Sequence, residues 1–233
     1  MLEYKWQGDG DKCVVFLHGW GGSLVSFGYF AKIVANKGCR VLNVSFSGHG
    51  ASPPPDGAWG IADYVRPLVE LMDSLGIGSA TIIGHSFGGR AAIYMAANHP
   101  NRVDRLVLID SAGILPKRGI GYKYRVWRYK RAKAKGKDLS SYGSDDYRAL
   151  TPNIRESFVR VVNEDLEPTL GRINIPTLLV WGDKDKDTPL YMAKRLQRGI
   201  KDSGLVTIKG AGHYSYVDRA DIFLGALLSF LGV

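Results

Sequence analysis

The chain has 233 residues, 45% of them hydrophobic, enough for one mixed α/β core and only slightly beyond the size at which chains begin to split into two domains. No run of about 18 uninterrupted apolar residues occurs, and the opening MLEYKWQGDGDKC has neither the apolar stretch nor the small-residue cleavage site of a secretory signal, so a cytoplasmic protein without a membrane span is expected. The net charge of +9 is concentrated: eleven Lys or Arg against three Asp between Pro116 and Leu150 place +8 of it in one segment.

In chain order, short β-rich runs alternate with amphipathic segments of helical length. KCVVFLHG (12–19) reads as a strand, followed by a helix near 27–35, the strand RVLNVSF (40–46) and a helix near 62–75. Next come ATIIG (80–84), a helix ending at His99, and the strand RLVLIDS (105–111). After a break the alternation resumes with TLLVWG (177–182), a helix from Pro189, the strand GLVTIKG (204–210) and a last helix from Asp218. Continuously apolar strands separated by helices imply an α/β fold with a mostly parallel central sheet covered on both faces. The ligand site of such a sheet lies at the carboxyl ends of its strands. The break runs over 113–170, where no strand is evident and the composition turns basic and aromatic. It reads as a small helical cap inserted into a core formed by 1–112 and 171–233. Cys13 and Cys39 each sit at a strand, where a free cysteine packs as a small hydrophobe.

Gly84-His85-Ser86-Phe87-Gly88 fits G-x-S-x-G between a strand and a helix. The glycines permit a turn tight enough to project the hydroxyl, and a helix N-terminus favours negative charge developing there. A serine hydroxyl needs a base within hydrogen-bond reach and a third group to orient that base. Of the five histidines, His18, His49 and His85 lie in glycine-rich loops at or before the serine, and His99 lies at a helix end. His213, in KGAGHYSY, follows a late strand and every candidate acid, and is the expected base. WGDKDKDTP offers Asp183, Asp185 and Asp187. Thr188 before Pro189 reads as a helix N-cap, which assigns Asp187 to the start of that helix. Asp185 is the preferred acid, with Asp183 and Asp110 as alternatives. Backbone donors for a developing oxyanion are expected from Phe87 and, in the loop LHGWGG, from Trp20.

These motifs, FLHGWGG, GHSFGG, LLVWGDKD and GAGHY, resemble in order and spacing the α/β-hydrolase fold superfamily over almost the whole chain. The resemblance implies Ser86 as nucleophile, Asp185 as acid, His213 as base, Trp20 and Phe87 as oxyanion donors, and a cap over the active site within 113–170. The family often carries an aspartate at the end of the strand before its G-x-G-x-S loop, where this chain has Ser45. A serine at the elbow also separates the chain from haloalkane dehalogenases and epoxide hydrolases, which carry aspartate there.

The residues support acyl transfer to water: a carboxylesterase-like serine hydrolase acting on a small-molecule ester, with no metal or organic cofactor expected because cysteines and histidines lack ligand spacing. Fold alone does not choose among esters, thioesters, amides and C–C bonds. In GYKYRVWRYKRAKAKGK, Tyr122, Val126, Tyr129 and Ala132 form a narrow apolar stripe beneath outward Lys and Arg. The basic cap suggests docking of an anionic acyl carrier such as acyl carrier protein or coenzyme A, and HGWG with a serine elbow is similar to the pimeloyl-carrier-protein methyl esterases. No nucleic-acid module accompanies the charge, and a non-catalytic receptor or scaffold on this fold is the alternative of another class. Phe27, Phe30, Trp59, Tyr124 and Trp127 are candidate pocket aromatics. Oligomeric state is not legible.

Overall fold

The computed structural model describes residues 1–116 and 152–233, together with Tyr124, Trp127, Arg128, Arg131, Ala132, Ala134, Lys135 and Gly136. Seven strands make one sheet: β1 (Tyr4–Gln7), β2 (Lys12–Leu17), β3 (Cys39–Val44), β4 (Ala80–His85), β5 (Val103–Ile109), β6 (Thr177–Gly182) and β7 (Ser203–Ile208). Their order is β1-β3-β2-β4-β5-β6-β7, with β1 antiparallel to β3 and every other pairing parallel. The mostly parallel sheet expected from the apolar runs is present. β1 escapes sequence reading because it is a four-residue edge strand whose first two residues are exposed, and so carries no apolar run.

Helices cover both faces, and the period-two alternation of the strands divides the core accordingly. On one face, Val15, Leu17, Leu42, Val44, Ile82, Leu106, Leu108 and Trp181 pack against α2 (Ile61–Ser74), α3 (Phe87–Asn98) and a later helix, Leu190–Gly199. On the other, Val14, Phe16, Val41, Ile83, Val107, Ile109 and Val180 pack against α1 (Gly28–Asn36) and the C-terminal helix Ala220–Leu231. Because both faces are buried, β2 from Cys13 onward, all of β4 and all of β6 have no exposed residue. Cys13 and Cys39 are buried and free.

Between β5 and β6, where the cap is expected, α4 (Pro152–Asn163) lies on the loop preceding α2. Ser157 Oγ accepts from the Trp59 N–H at 2.9 Å, Arg160 donates to the Ala58 carbonyl at 2.7 Å, and the Glu164 carboxylate accepts from the Ile61 N–H at 3.1 Å. The buried Arg90 guanidinium, on α3, donates to the Glu164 carbonyl. Of the stripe expected in the basic segment, Tyr122, Val126 and Tyr129 lie outside the described residues, and Ala132 is buried.

Two helix boundaries differ from the sequence reading. Thr188 is not an N-cap: α5 (Leu190–Gly199) begins after an extended Pro189, φ −55° and ψ 148°. A residue preceding proline is itself pushed towards extended backbone, which leaves the Thr188 hydroxyl free for other partners. The last helix does not run from Asp218. A single turn, α6 (Ser215–Asp218), breaks at Arg219, and α7 (Ala220–Leu231) follows. Among the described residues, no helix is long and apolar enough to cross a membrane.

Candidate active site

Ser86 is the one residue between the end of β4 and the start of α3, and it adopts φ 51°, ψ −110°. A left-handed φ on a non-glycine residue costs on the order of 1–3 kcal/mol and persists only where its surroundings enforce it. Here the enforcement is visible. The Ser86 N–H donates to the Ile109 carbonyl at 3.1 Å, and the Ser86 carbonyl accepts from Ala112 at 3.0 Å. The flanking glycines let the elements close on this turn: a Cβ at Gly84 would lie 2.3 Å from the Gly88 carbonyl oxygen, and one at Gly88 would lie 2.1 Å from that of Leu17.

His213, on the loop after β7, points its ring between Ser86 and Asp185. Its Nε2 lies 3.1 Å from Ser86 Oγ and its Nδ1 lies 2.9 Å from Asp185 Oδ2. A proton on Nδ1, held by the carboxylate, leaves Nε2 as the acceptor for the serine hydroxyl. The Asp185 side chain is fully buried, yet its pKa is held below the ordinary carboxylate value. Burial alone would raise it, but hydrogen bonds from His213 and Thr188 outweigh that. The His213 imidazole is shifted the other way. Burial would depress it, but the hydrogen bond to Asp185 and the charges of Asp185, Asp187 and Asp110 raise it.

Of the alternative acids, Asp183 caps the Gly210 N–H at 2.7 Å. Asp110 is fully buried and directs its carboxylate to Gly182 and Ser215. Burial pushes its carboxyl up to about 7, against the hydrogen bonds it receives. Asp185, Asp187 and His213 have ligand atoms within 4.8 Å of one another, but Asp185 and His213 already bond to each other.

The N–H groups of Phe87, first residue of α3, and of Trp20, in the Gly19–Gly22 turn after β2, have no protein acceptor among the described residues. The loop lies close by, since a Cβ at Gly19 would sit 3.4 Å from Ser86 Cβ. His18 shapes this loop, its Nε2 accepting from the Phe46 N–H at 3.0 Å and its Nδ1 lying 2.7 Å from the Gly19 carbonyl. Beside it the Trp20 ring meets His49, Tyr64, Phe87 and Phe158 at centroid separations of 5.0–5.9 Å. Its indole Nε1 is buried and unpartnered among the described residues.

The expected pocket aromatics fare differently. Phe27, in the turn Leu24–Phe27, and Phe30, on α1, belong to the core on that face of the sheet, packed with Phe16, Tyr216 and Phe223. Trp59 is partly buried against Tyr64 at 5.3 Å. Tyr124 and Trp127 are more than half exposed and stack on each other at 5.9 Å, with the Arg131 guanidinium 5.3 Å from the Trp127 ring.

Sequence reading gave no role to Thr188, Ser215 or His85 in this site. The Thr188 hydroxyl lies 2.6 Å from Asp185 Oδ2 and 3.0 Å from the Asp110 carbonyl oxygen. His85 is buried behind His213 and kept neutral, its pKa pulled down to about 3 by burial. The available signal for His85 was its place beside the serine, inside the motif.

A family model described as alpha/beta hydrolase fold matches residues 12–141, and one described as TAP-like protein matches 159–223. The chain is 28% identical to the AB hydrolase superfamily protein YisY of Bacillus subtilis, over 89% of this chain and 87% of that protein. It is 29% identical to the 2-hydroxy-6-oxononadienedioate/2-hydroxy-6-oxononatrienedioate hydrolase of Klebsiella pneumoniae, over 96% of this chain and 88% of that protein. A crystal structure of a hydrolase from Pseudomonas aeruginosa superimposes with a TM-score of 0.81 at 27% identity, covering 100% of this chain and 94% of the other.

Proposed function

The chain belongs to the alpha/beta hydrolase fold family, and on that premise we propose that it is a serine hydrolase that transfers an acyl group to water through an ester on Ser86. The observation that carries this is the unbroken hydrogen-bond chain from Ser86 Oγ through His213 to the buried Asp185. In this reading Ser86 Oγ attacks the acyl carbon as His213 Nε2 takes its proton, and the carbonyl oxygen, now negative, accepts from the Trp20 and Phe87 N–H groups. The imidazolium gives that proton to the leaving group as its bond to the acyl carbon breaks. Water then attacks the acyl-serine, losing a proton to Nε2. Collapse returns the proton to Oγ and releases the acid. Asp185 holds the imidazole's orientation and stabilises its charged form.

The substrate we favour is a carboxylic ester. The Klebsiella relative is named for a different substrate, a hydroxy-oxo diacid, so the test spans both chemistries. Initial rates on p-nitrophenyl esters from acetate to dodecanoate, run beside Ser86→Ala, are expected to show serine-dependent turnover with a chain-length optimum. A hydroxy-oxo dienedioate is assayed alongside: its turnover with none of the esters cleaved would replace the ester reading with C–C hydrolysis, and saturable binding without turnover would indicate a receptor.

A second reading rests on the exposed Tyr124–Trp127 stack, with the Arg131 guanidinium over Trp127 and the exposed Arg128 next in the chain: an acyl group delivered on an anionic carrier docked at the cap. It requires kcat/KM for a carrier-bound ester to fall with added salt and with Arg128→Glu plus Arg131→Glu. Insensitivity to both removes it.

A further inference from the structure

Asp110 occupies the turn after β5 with φ 42°, one of two non-glycine residues with positive φ among the described residues, the other being Ser86. Its carboxylate is fully buried and takes no part in the proton transfers described above. Both of its oxygens are nevertheless occupied. Oδ1 accepts from the Gly182 N–H at 2.8 Å, at the end of β6, and Oδ2 accepts from the Ser215 N–H at 3.0 Å and from the Ser215 hydroxyl. Ser215 lies two residues beyond His213, so the carboxylate ties the histidine loop to the strand end from which the Asp185 loop departs.

The backbone of the same turn reaches the other two members. The Asp110 carbonyl oxygen lies 3.0 Å from the Thr188 hydroxyl, which in turn contacts Asp185 Oδ2. On either side, the Ile109 carbonyl accepts from the Ser86 N–H and the Ala112 N–H donates to the Ser86 carbonyl. The Asp110 N–H donates to Val180 at 3.0 Å, locking the turn to β6. One turn is thus hydrogen-bonded to the segments carrying nucleophile, acid and base. Only its side chain reaches the base.

We propose that Asp110 is a positioning residue whose buried carboxylate fixes the His213 loop, through Ser215, in register with Ser86 and Asp185. This rests on the serine-hydrolase reading above. An asparagine in its place keeps the volume but offers one acceptor oxygen where two are used, and turns an N–H towards a donor. The base then sits loosely, and displacement by as little as 1 Å costs about a hundredfold in rate.

The experiment measures kcat and KM on the best p-nitrophenyl ester for wild type, Asp110→Asn, Ser215→Ala and the double variant, with thermal melts of each. Asp110→Asn is expected to lower kcat about 10- to 100-fold with KM within about twofold, and Ser215→Ala to lower it several-fold. The double variant is expected to be no slower than Asp110→Asn alone, because both act through one link. Wild-type kcat in both single variants, or losses that multiply in the double, would overturn the proposal while leaving serine-dependent turnover intact. Should Asp110→Asn fail to fold, the kcat and KM of Ser215→Ala decide: a fall in kcat at constant KM supports the link and no change overturns it. Absence of Ser86-dependent turnover in the wild type would instead overturn the underlying reading, and this proposal with it.

Discussion

His85 Nε2 lies 2.7 Å from the backbone carbonyl oxygen of His213, so the residue preceding the elbow serine donates to the peptide of the residue that faces it. The imidazole rings stand 4.9 Å apart. His85 is neutral because burial pulls its pKa to about 3, and a neutral ring with its proton on Nε2 is the form this bond requires.

That bond has a consequence for stability. The unfolded chain protonates His85 near 6.5, whereas the folded chain does so only near 3, so its contribution is present above 6.5 and is lost as pH falls below that value. Asp110, raised to about 7, has the opposite sign, and comparison with a variant at position 85 separates the two. His85→Gln, which retains a donor, is expected to melt closer to wild type, or above it, as pH is lowered from 7 to 4.5, with a differential slope of at most about 1.4 kcal/mol per pH unit. Parallel melting curves across that range would show that His85 titrates normally.

Strain at Ser86 separates two inactive variants. Ser86→Ala keeps a Cβ at φ 51°, whereas Ser86→Gly does not. Both should lose turnover, but the glycine variant is expected to melt about 2–6 °C higher. Equal melting temperatures would mean that the elbow stores no strain.

The acid is tested by paired substitutions. Asp185→Asn removes the group that orients His213 and is expected to reduce kcat by about 10⁴. Asp183→Asn leaves an acceptor for the Gly210 N–H and should stay within about threefold of wild type. Similar losses in the two variants would reopen the assignment.

Activity should fall on acidification as His213 takes up a proton. Its pKa is raised, so the acid limb of kcat/KM is expected above the ordinary histidine value, and the active form accumulates as pH rises through it. The exposed Asp187 contributes to that shift by charge, so Asp187→Asn should move the limb downward, and added salt should shrink the difference. A limb unmoved by Asp187→Asn would contradict the electrostatic origin.

Ser86 and His213 were legible as candidates because glycine spacing and chain order are local signals, and the parallel sheet because fully buried strands must be apolar. For the acid the sequence prefers Asp185 and leaves Asp183 and Asp110 as alternatives. What distinguishes Asp185 is the loop that returns its carboxylate to Thr188 and His213, which no spacing reveals. β1 was missed, and with it Glu3, just ahead of that strand, whose carboxylate caps the Ala51 N–H at 2.9 Å and bonds Ser45. Glu3 therefore brings a carboxylate to Ser45 from the N-terminal edge of the sheet. The pocket was the least legible part: an aromatic on a helix can face sheet or cleft, and Phe27 faces the sheet while Trp20, read only for its backbone, places its ring among Tyr64, Phe87 and Phe158.

The most direct test is to mix enzyme with excess p-nitrophenyl ester, quench in acid within milliseconds and seconds, and measure intact and peptide masses. The account requires a burst of p-nitrophenol of up to one equivalent wherever deacylation is the slower step, and an acyl adduct on the peptide containing Ser86 that is absent from Ser86→Ala. Turnover with no adduct at any time, and undiminished in Ser86→Ala, would contradict it.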